Sequence, residues 1–216
     1  MPRHRLPTLT MTTDIVIFTI RDQRLEILLI QRGNPPFQGR WALPGGLLEP
    51  EEDLDVCARR ELEEETGVTG LPLEQLHTFG VPHRDPRGRV VTVAHYTMVR
   101  AERLKPRAGS DAARVGWFAV DGLPDLAFDH AEIIALARRR LWARFGESAD
   151  AFGYLPRTFT LDEMRTLYSI VRGEPLEPKA FLRWARGAGL ISEVEATRIG
   201  PRRTVRLYQA SRRESS

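Results

Sequence analysis

The chain has 216 residues, 42% hydrophobic and 28% charged, which suits a globular protein with a substantial core. No run of about 18 apolar residues exists to cross a membrane as a helix. The charged start "MPRHRLPTLTMTTD" lacks a secretory apolar segment, and the single Cys57 excludes an internal disulfide or a cysteine-built zinc cage. Cytoplasm is the expected location. The net charge of +3 is unevenly spread: from Gly146 onward twelve Lys/Arg face nine Asp/Glu, while the first 145 residues balance. A small cationic surplus in the C-terminal third suits an anionic partner.

In chain order, "TDIVIFTI" (Thr13–Ile20) and "LEILLIQR" (Leu25–Arg32) are β-branched and aliphatic, and "RDQR" between them predicts a hairpin of buried strands. The Gly and Pro residues of "GNPPFQGRWALPGG" predict a long loop. From Asp53 to Thr66, Leu54, Val56, Cys57, Ala58 and Leu62 follow a helical period, with Gly67 as C-cap. Strands are expected in "PLEQLHTFG", "RVVTVAHYTMV" and "RVGWFAV". A helix is expected in "DHAEIIALARRRLWARFG", capped by Asp129 and stopped at Gly146. Residues 1–150 thus read as a mixed sheet with helices, an α+β or α/β layered domain.

Residues 151–216 have a different texture. "TLDEMRTLYSIVRG" carries a capping box, Thr160 with Glu163, and "PLEPKAFLRWARGAGLI" predicts a second helix broken by Gly187 and Gly189. "TRIGPRRTVRLYQA" predicts a basic hairpin. Helix, turn, helix and β wing is a DNA-binding arrangement.

The densest chemistry lies in "GLLEPEEDLDVCARRELEEETGV", with nine acidic side chains in twenty-three residues. Glu61, Glu64 and Glu65 share one helical face, about 6 Å apart, so they repel unless neutralised. A hard divalent cation, magnesium with manganese as substitute, turns that repulsion into a binding site; a solvated acidic face is the alternative. Arg60 can pair with one of the remaining acids, such as Glu52, and hold the helix against the loop.

The spacing from Gly46 through Glu52 to Arg60-Glu61-Leu62-Glu63-Glu64-Glu65-Thr66-Gly67-Val68 resembles the Nudix box at every fixed position. That resemblance implies a Nudix fold that hydrolyses nucleoside diphosphates linked to another group. Glu61, Glu64 and Glu65 are then metal ligands, Glu52 assists and Arg60 is structural. Glu102 and Asp111 are candidates for the proton acceptor outside the box. Pro82, fifteen residues after Gly67, resembles the mark of Nudix members acting on ADP-ribose. With Gly46 as part of the substrate site, Arg84 and Arg87 can contact phosphates, and Phe79 or His83 can stack on a base. A Pro/Gly-rich turn with solvated arginines is the alternative. His130 is expected to be structural.

The second half is similar to the Nudix-related transcriptional regulators, which join a Nudix domain to a winged helix and control NAD-metabolism or sugar-utilisation genes. That implies a homodimer on a double-stranded DNA operator. Lys179, Arg183 and Arg186 would lie on the recognition helix, with Arg202, Arg203 and Arg206 on the wing. The N-terminal "PRHR" would be a further contact. The chain departs from that family around Phe181, where Ala180, Leu182, Arg183 and Trp184 stand in place of asparagine and clustered basic residues; Trp184 is expected in the core.

Two functions compete: an ADP-ribose-binding regulator with an intact hydrolase box, cleaving ADP-ribose to AMP and ribose 5-phosphate, and a dedicated pyrophosphatase whose C-terminal domain serves dimerisation. A sugar-sensing repressor without hydrolase activity is a third.

Overall fold

The computed structural model describes residues 8–104, 112–147, 149–199 and 204–211. Two compact units divide between Ala137 and Arg138, within one helix. Among the described residues no helix is long and apolar enough to cross a membrane.

The first unit is built on a six-stranded mixed sheet in the order β3-β2-β1-β5-β4, with β6 also paired to β2. Its strands are β1 (Thr10–Arg21), β2 (Arg24–Arg32), β3 (Trp41–Ala42), β4 (Glu74–Phe79), β5 (Val90–Met98) and β6 (Ala112–Ala119). β1 and β5 run parallel, from Thr10 opposite Val90 to Phe18 opposite Met98, and the remaining pairs are antiparallel. Alternation along β1 sends Ile15 and Ile17 to one face, where they pack with Leu28, Ala58 and Leu62. Val16 and Phe18 are equally buried, so both faces of the strand are covered. This explains why its sequence is continuously apolar.

Helix α1 (Leu54–Thr66) begins where the Asp53 carboxylate accepts the Asp55 N–H, and ends at Gly67, whose N–H donates to Glu63 O. It buries Cys57, Ala58 and Leu62 on the sheet side, and Glu65, one turn on from Leu62, is buried with them. Helix α2 (His130–Glu147) buries Ile133, Ile134 and Ala137 in its first half.

In the second unit, α3 (Leu161–Arg172) carries the expected capping box: Thr160 Oγ1 accepts from Glu163 N–H, and the Glu163 carboxylate accepts from Thr160 N–H. Helix α4 (Pro178–Gly187) follows, with Glu177 as N-cap and Pro178 where a missing N–H costs nothing. β7 (Ile191–Ile199) and β8 (Thr204–Ala210) form an antiparallel hairpin, the wing. Tyr168 is fully buried and holds Phe181 and Trp184 edge-on, each with ring centroids 5.4 Å away.

Candidate functional site

The loop after β3 is laid along the first half of β1. Ile15 N–H donates to Pro44 O (2.8 Å), Thr13 N–H to Gly46 O (3.0 Å) and Leu48 N–H to Met11 O (3.1 Å). At position 45 this approach requires glycine. A Cβ on Gly45 would strike the Thr13 carbonyl, and one on Gly46 would occupy the place of the Glu61 carboxylate. Gly46 thus lies against the Glu61 carboxylate, a packing role distinct from the substrate contact expected of it.

Arg60 organises the acidic helix. Its guanidinium grips Glu52 with two bonds, Nε to Oε1 at 2.8 Å and Nη2 to Oε2 at 2.9 Å, and reaches the Leu47 carbonyl at 3.1 Å. This is the expected clamp between helix and loop. The hydrogen bonds from Arg60 hold the Glu52 carboxyl down at about 2. Arg60 also binds Glu61 Oε1 (2.8 Å) and Glu64 Oε2 (3.2 Å). Cys57 lies beneath, its thiol pushed up to about 11 by burial, which leaves it unreactive.

Glu65 behaves differently. It is 8% exposed and takes the Gly45 N–H at 2.8 Å. Burial raises its carboxyl to about 8, opposed by the Gly45 bond and reinforced by the nearby Glu61 and Asp14. Burial also raises Glu61, against the Arg60 bond. Of the four predicted glutamates, Glu61 and Glu65 line a cleft of about 280 Å³, together with Gly46. Glu64 is half-exposed and Glu52 is held in the clamp.

The cleft also has basic lining, Arg32, Arg84 and Arg87. Arg84 makes a bidentate pair with Asp129 (2.8 and 2.6 Å) and lies 3.5 Å from Asp14. The Asp129 carboxylate is therefore turned to Arg84, whereas its backbone carbonyl serves the first turn of α2. Arg87 pairs with buried Asp85. Arg32 and Arg87 stand 4.9 and 5.7 Å from the centre of the Phe128 ring. Phe79 ends β4 beside His77, and Pro82 and His83 are exposed; none of these is in the cleft lining.

His130 is structural, as expected. Its Nδ1 accepts the Leu43 N–H at 2.8 Å, its Nε2 lies 3.4 Å from Asp14, and burial lowers its pKa, so the neutral ring pins the loop. Asp14, Arg32 and Phe128 were not legible as site residues, since each sits in a stretch whose pattern speaks only of strand or turn. Glu102 lies in a short 3₁₀ turn, exposed and away from the cleft lining. Asp111 is outside the described residues.

A divalent cation can be tested against this donor set. The donors fit in kind: Glu61, Glu65 and Asp14 offer carboxylate oxygens, the ligands hard cations take. Among the described residues no three acidic, histidine or cysteine side chains are already gathered into a cage. Arg60 holds Glu61 and Glu64, so a cation must compete with its guanidinium for them.

In the second unit Lys179, Arg183 and Arg186 are exposed on α4. Arg186 and Arg206 both reach Glu193, at 3.3 and 3.2 Å, joining helix to wing. Trp184 packs on Tyr168 and Phe181 but keeps 37% of its surface exposed. Arg198, not singled out from sequence, donates to Glu163 Oε1 at 2.6 Å and Thr158 O at 3.2 Å, fixing the wing to the capping box. Arg202, Arg203 and the N-terminal arginines lie outside the described residues.

The glutamate helix packed on a mixed sheet, followed by helix-turn-helix and wing, defines a phosphate-handling domain joined to a DNA-binding one. Residues 10–137 match the NUDIX domain and residues 151–210 the NrtR DNA-binding winged helix domain. Over 94% of its length the chain is 36% identical to the ADPR responsive transcriptional repressor NtrR of Acinetobacter baylyi, covering 82% of that protein. The Shewanella oneidensis NrtR structure with a 27mer DNA aligns with a TM-score of 0.69 at 34% identity, over 93% of each chain. The Nudix domain of that NrtR, in complex with ADP ribose, aligns with 0.58 at 36% identity over 63% of this chain and 90% of that one. The chain belongs to the Nudix family, in its NrtR-type branch with a winged helix.

Proposed function

We propose that the protein is an ADP-ribose-responsive transcriptional regulator that keeps the means to cleave its ligand. One observation carries the reading: a single cleft is lined by Asp14, Glu61 and Glu65 together with Arg32, Arg84 and Arg87. A pyrophosphate accompanied by a divalent cation answers both charges at once. The ligands of the two NrtR-type relatives support ADP-ribose as the carrier of that pyrophosphate.

Mg2+, with Mn2+ as substitute, would be held by Glu61 and Glu65, with Glu64 joining on release from Arg60. When bound it supplies charge neutralisation and an acidified water. The chain's own residues do the positioning. Glu52 and Arg60 lock the middle of the helix to the loop, and Gly46 leaves room for Glu61. Arg84, committed to Asp129 and Asp14, would shape the cationic lining, while Arg32, and Arg87 on exchange from Asp85, would meet phosphate oxygens. Water adds across the P–O–P bridge, giving AMP and ribose 5-phosphate.

Two copies of the α4 and wing surface would read a palindromic operator, with Lys179 and Arg183 facing the DNA. The cleavage half is tested by AMP release from ADP-ribose with Mg2+. Wild type should turn over, and Glu64→Gln should lose on the order of 10²-fold or more. Equal turnover in both would remove Glu64 from the reaction. No turnover in either, with ADP-ribose still bound, would leave a sensor.

A further inference from the structure

The second unit holds a cavity of its own, of about 440 Å³, within the size range of small-molecule sites. Trp142 of α2 and Trp184 of α4 line it, with Phe181 and Leu176 adding apolar surface and Arg172 and Glu177 its charges. Both indoles lean on Tyr168, at 6.0 and 5.4 Å between ring centroids. The Tyr168 hydroxyl in turn donates to Phe145 O at 2.7 Å, so the aromatic frame is fixed from behind.

The two charges are not equivalent. The Glu177 carboxylate accepts the Ala180 N–H at 2.7 Å and is spent on capping α4. Arg172 stands 5.6 Å from the centre of the Trp142 ring, and its ion-pair partner is the exposed Glu174 at 3.4 Å. Such a surface pair is worth little and exchanges readily. Glu177 keeps its charge at the start of α4, so the charge free to change partner for a ligand is that of Arg172, beside the Trp142 indole.

We propose that this cavity is an effector site for a planar aromatic carboxylate of one or two fused rings, stacked on the indoles with its carboxylate on Arg172 in place of Glu174. Arg172 ends α3, and Glu177 and Ala180 begin α4. A ligand there spans the turn between the two helices of the DNA-binding unit. It would adjust DNA affinity independently of the glutamate cleft.

Isothermal titration calorimetry of the full chain with naphthoate tests this. The expected result is saturable binding with Kd no weaker than about 1 mM. Binding should weaken at least about tenfold in Arg172→Gln and for the uncharged naphthylmethanol, while AMP release from ADP-ribose in Arg172→Gln stays at the wild-type level. Absence of saturable heat would overturn the proposal. So would equal affinity for the uncharged compound, which would reduce the cavity to a greasy surface. Unchanged naphthoate binding in Arg172→Gln would overturn the assigned role of that residue. Failure of ADP-ribose binding leaves this result untouched, so the two readings fall separately.

Discussion

A buried carboxyl at about 8 has consequences at the scale of one residue. Glu65 prefers its proton in the folded chain, whereas unfolded it ionises near the ordinary glutamate value. Its contribution to stability is therefore fully present below about pH 4.5 and is lost as pH rises through about 8. A divalent cation binds only the ionised form and reverses the loss. With chelator present, the component of Tm set by this site should be lower at about pH 8.5 than at about pH 6. The gain from Mg2+ should be larger at the higher pH, and Glu65→Gln should flatten both effects. Calorimetry at the two pH values checks this. An equal Mg2+ gain at both would mean that Glu65 carries no proton for the metal to displace. Arg60 sets the other limit, because Glu61 and Glu64 are already in its grip. The acidic crowding is thus managed twice, by protonation at Glu65 and by a guanidinium at its neighbours.

Among the elements, those with local causes were legible and those with distant causes were not. The capping box of α3 is written in four consecutive residues, and both of its hydrogen bonds form. Thr160→Ala should cost the second unit about 1 kcal/mol, read as a shift in denaturant midpoint. A loss near zero would mean that Arg198, through Glu163, carries the helix start instead. The glutamate helix, its Asp53 start and its Gly67 stop were equally local. By contrast, β3 is two residues, Trp41 and Ala42, inside a Gly/Pro-rich stretch, and exists only because β2 offers it an edge. The parallel pairing of β1 with β5 joins segments some eighty residues apart, which no periodicity encodes. Asp129 illustrates the same limit. Its position predicts a cap, but a guanidinium 45 residues away claims the carboxylate. Part of the cleft was legible, Glu61 and Glu65 with Gly46 from the spacing of the box and Arg84 and Arg87 from the loop after β4, whereas Glu64 was legible but lies outside the lining. Another part, Asp14, Arg32 and Phe128, is assembled by tertiary contact.

At the scale of the whole molecule, phosphate-handling chemistry and a DNA-binding unit share one chain. On α4, Lys179 and Arg183 are exposed, whereas Arg186 and Arg206 are engaged with Glu193. Replacing Lys179 or Arg183 by Ala should therefore reduce the salt dependence of DNA binding by about one unit of slope each. Arg186→Ala should act less, and a larger effect there would show that Glu193 releases it on DNA. Regulation requires ADP-ribose to bind the DNA-competent and DNA-incompetent forms with different affinity. The most direct test is fluorescence anisotropy of the chain on its own upstream duplex, titrated with ADP-ribose under conditions where Glu64→Gln prevents turnover. The expected result is a change in DNA affinity of about fivefold or more, saturating with ADP-ribose. DNA affinity that is the same with and without saturating ADP-ribose would contradict the account and leave two activities that merely share a polypeptide.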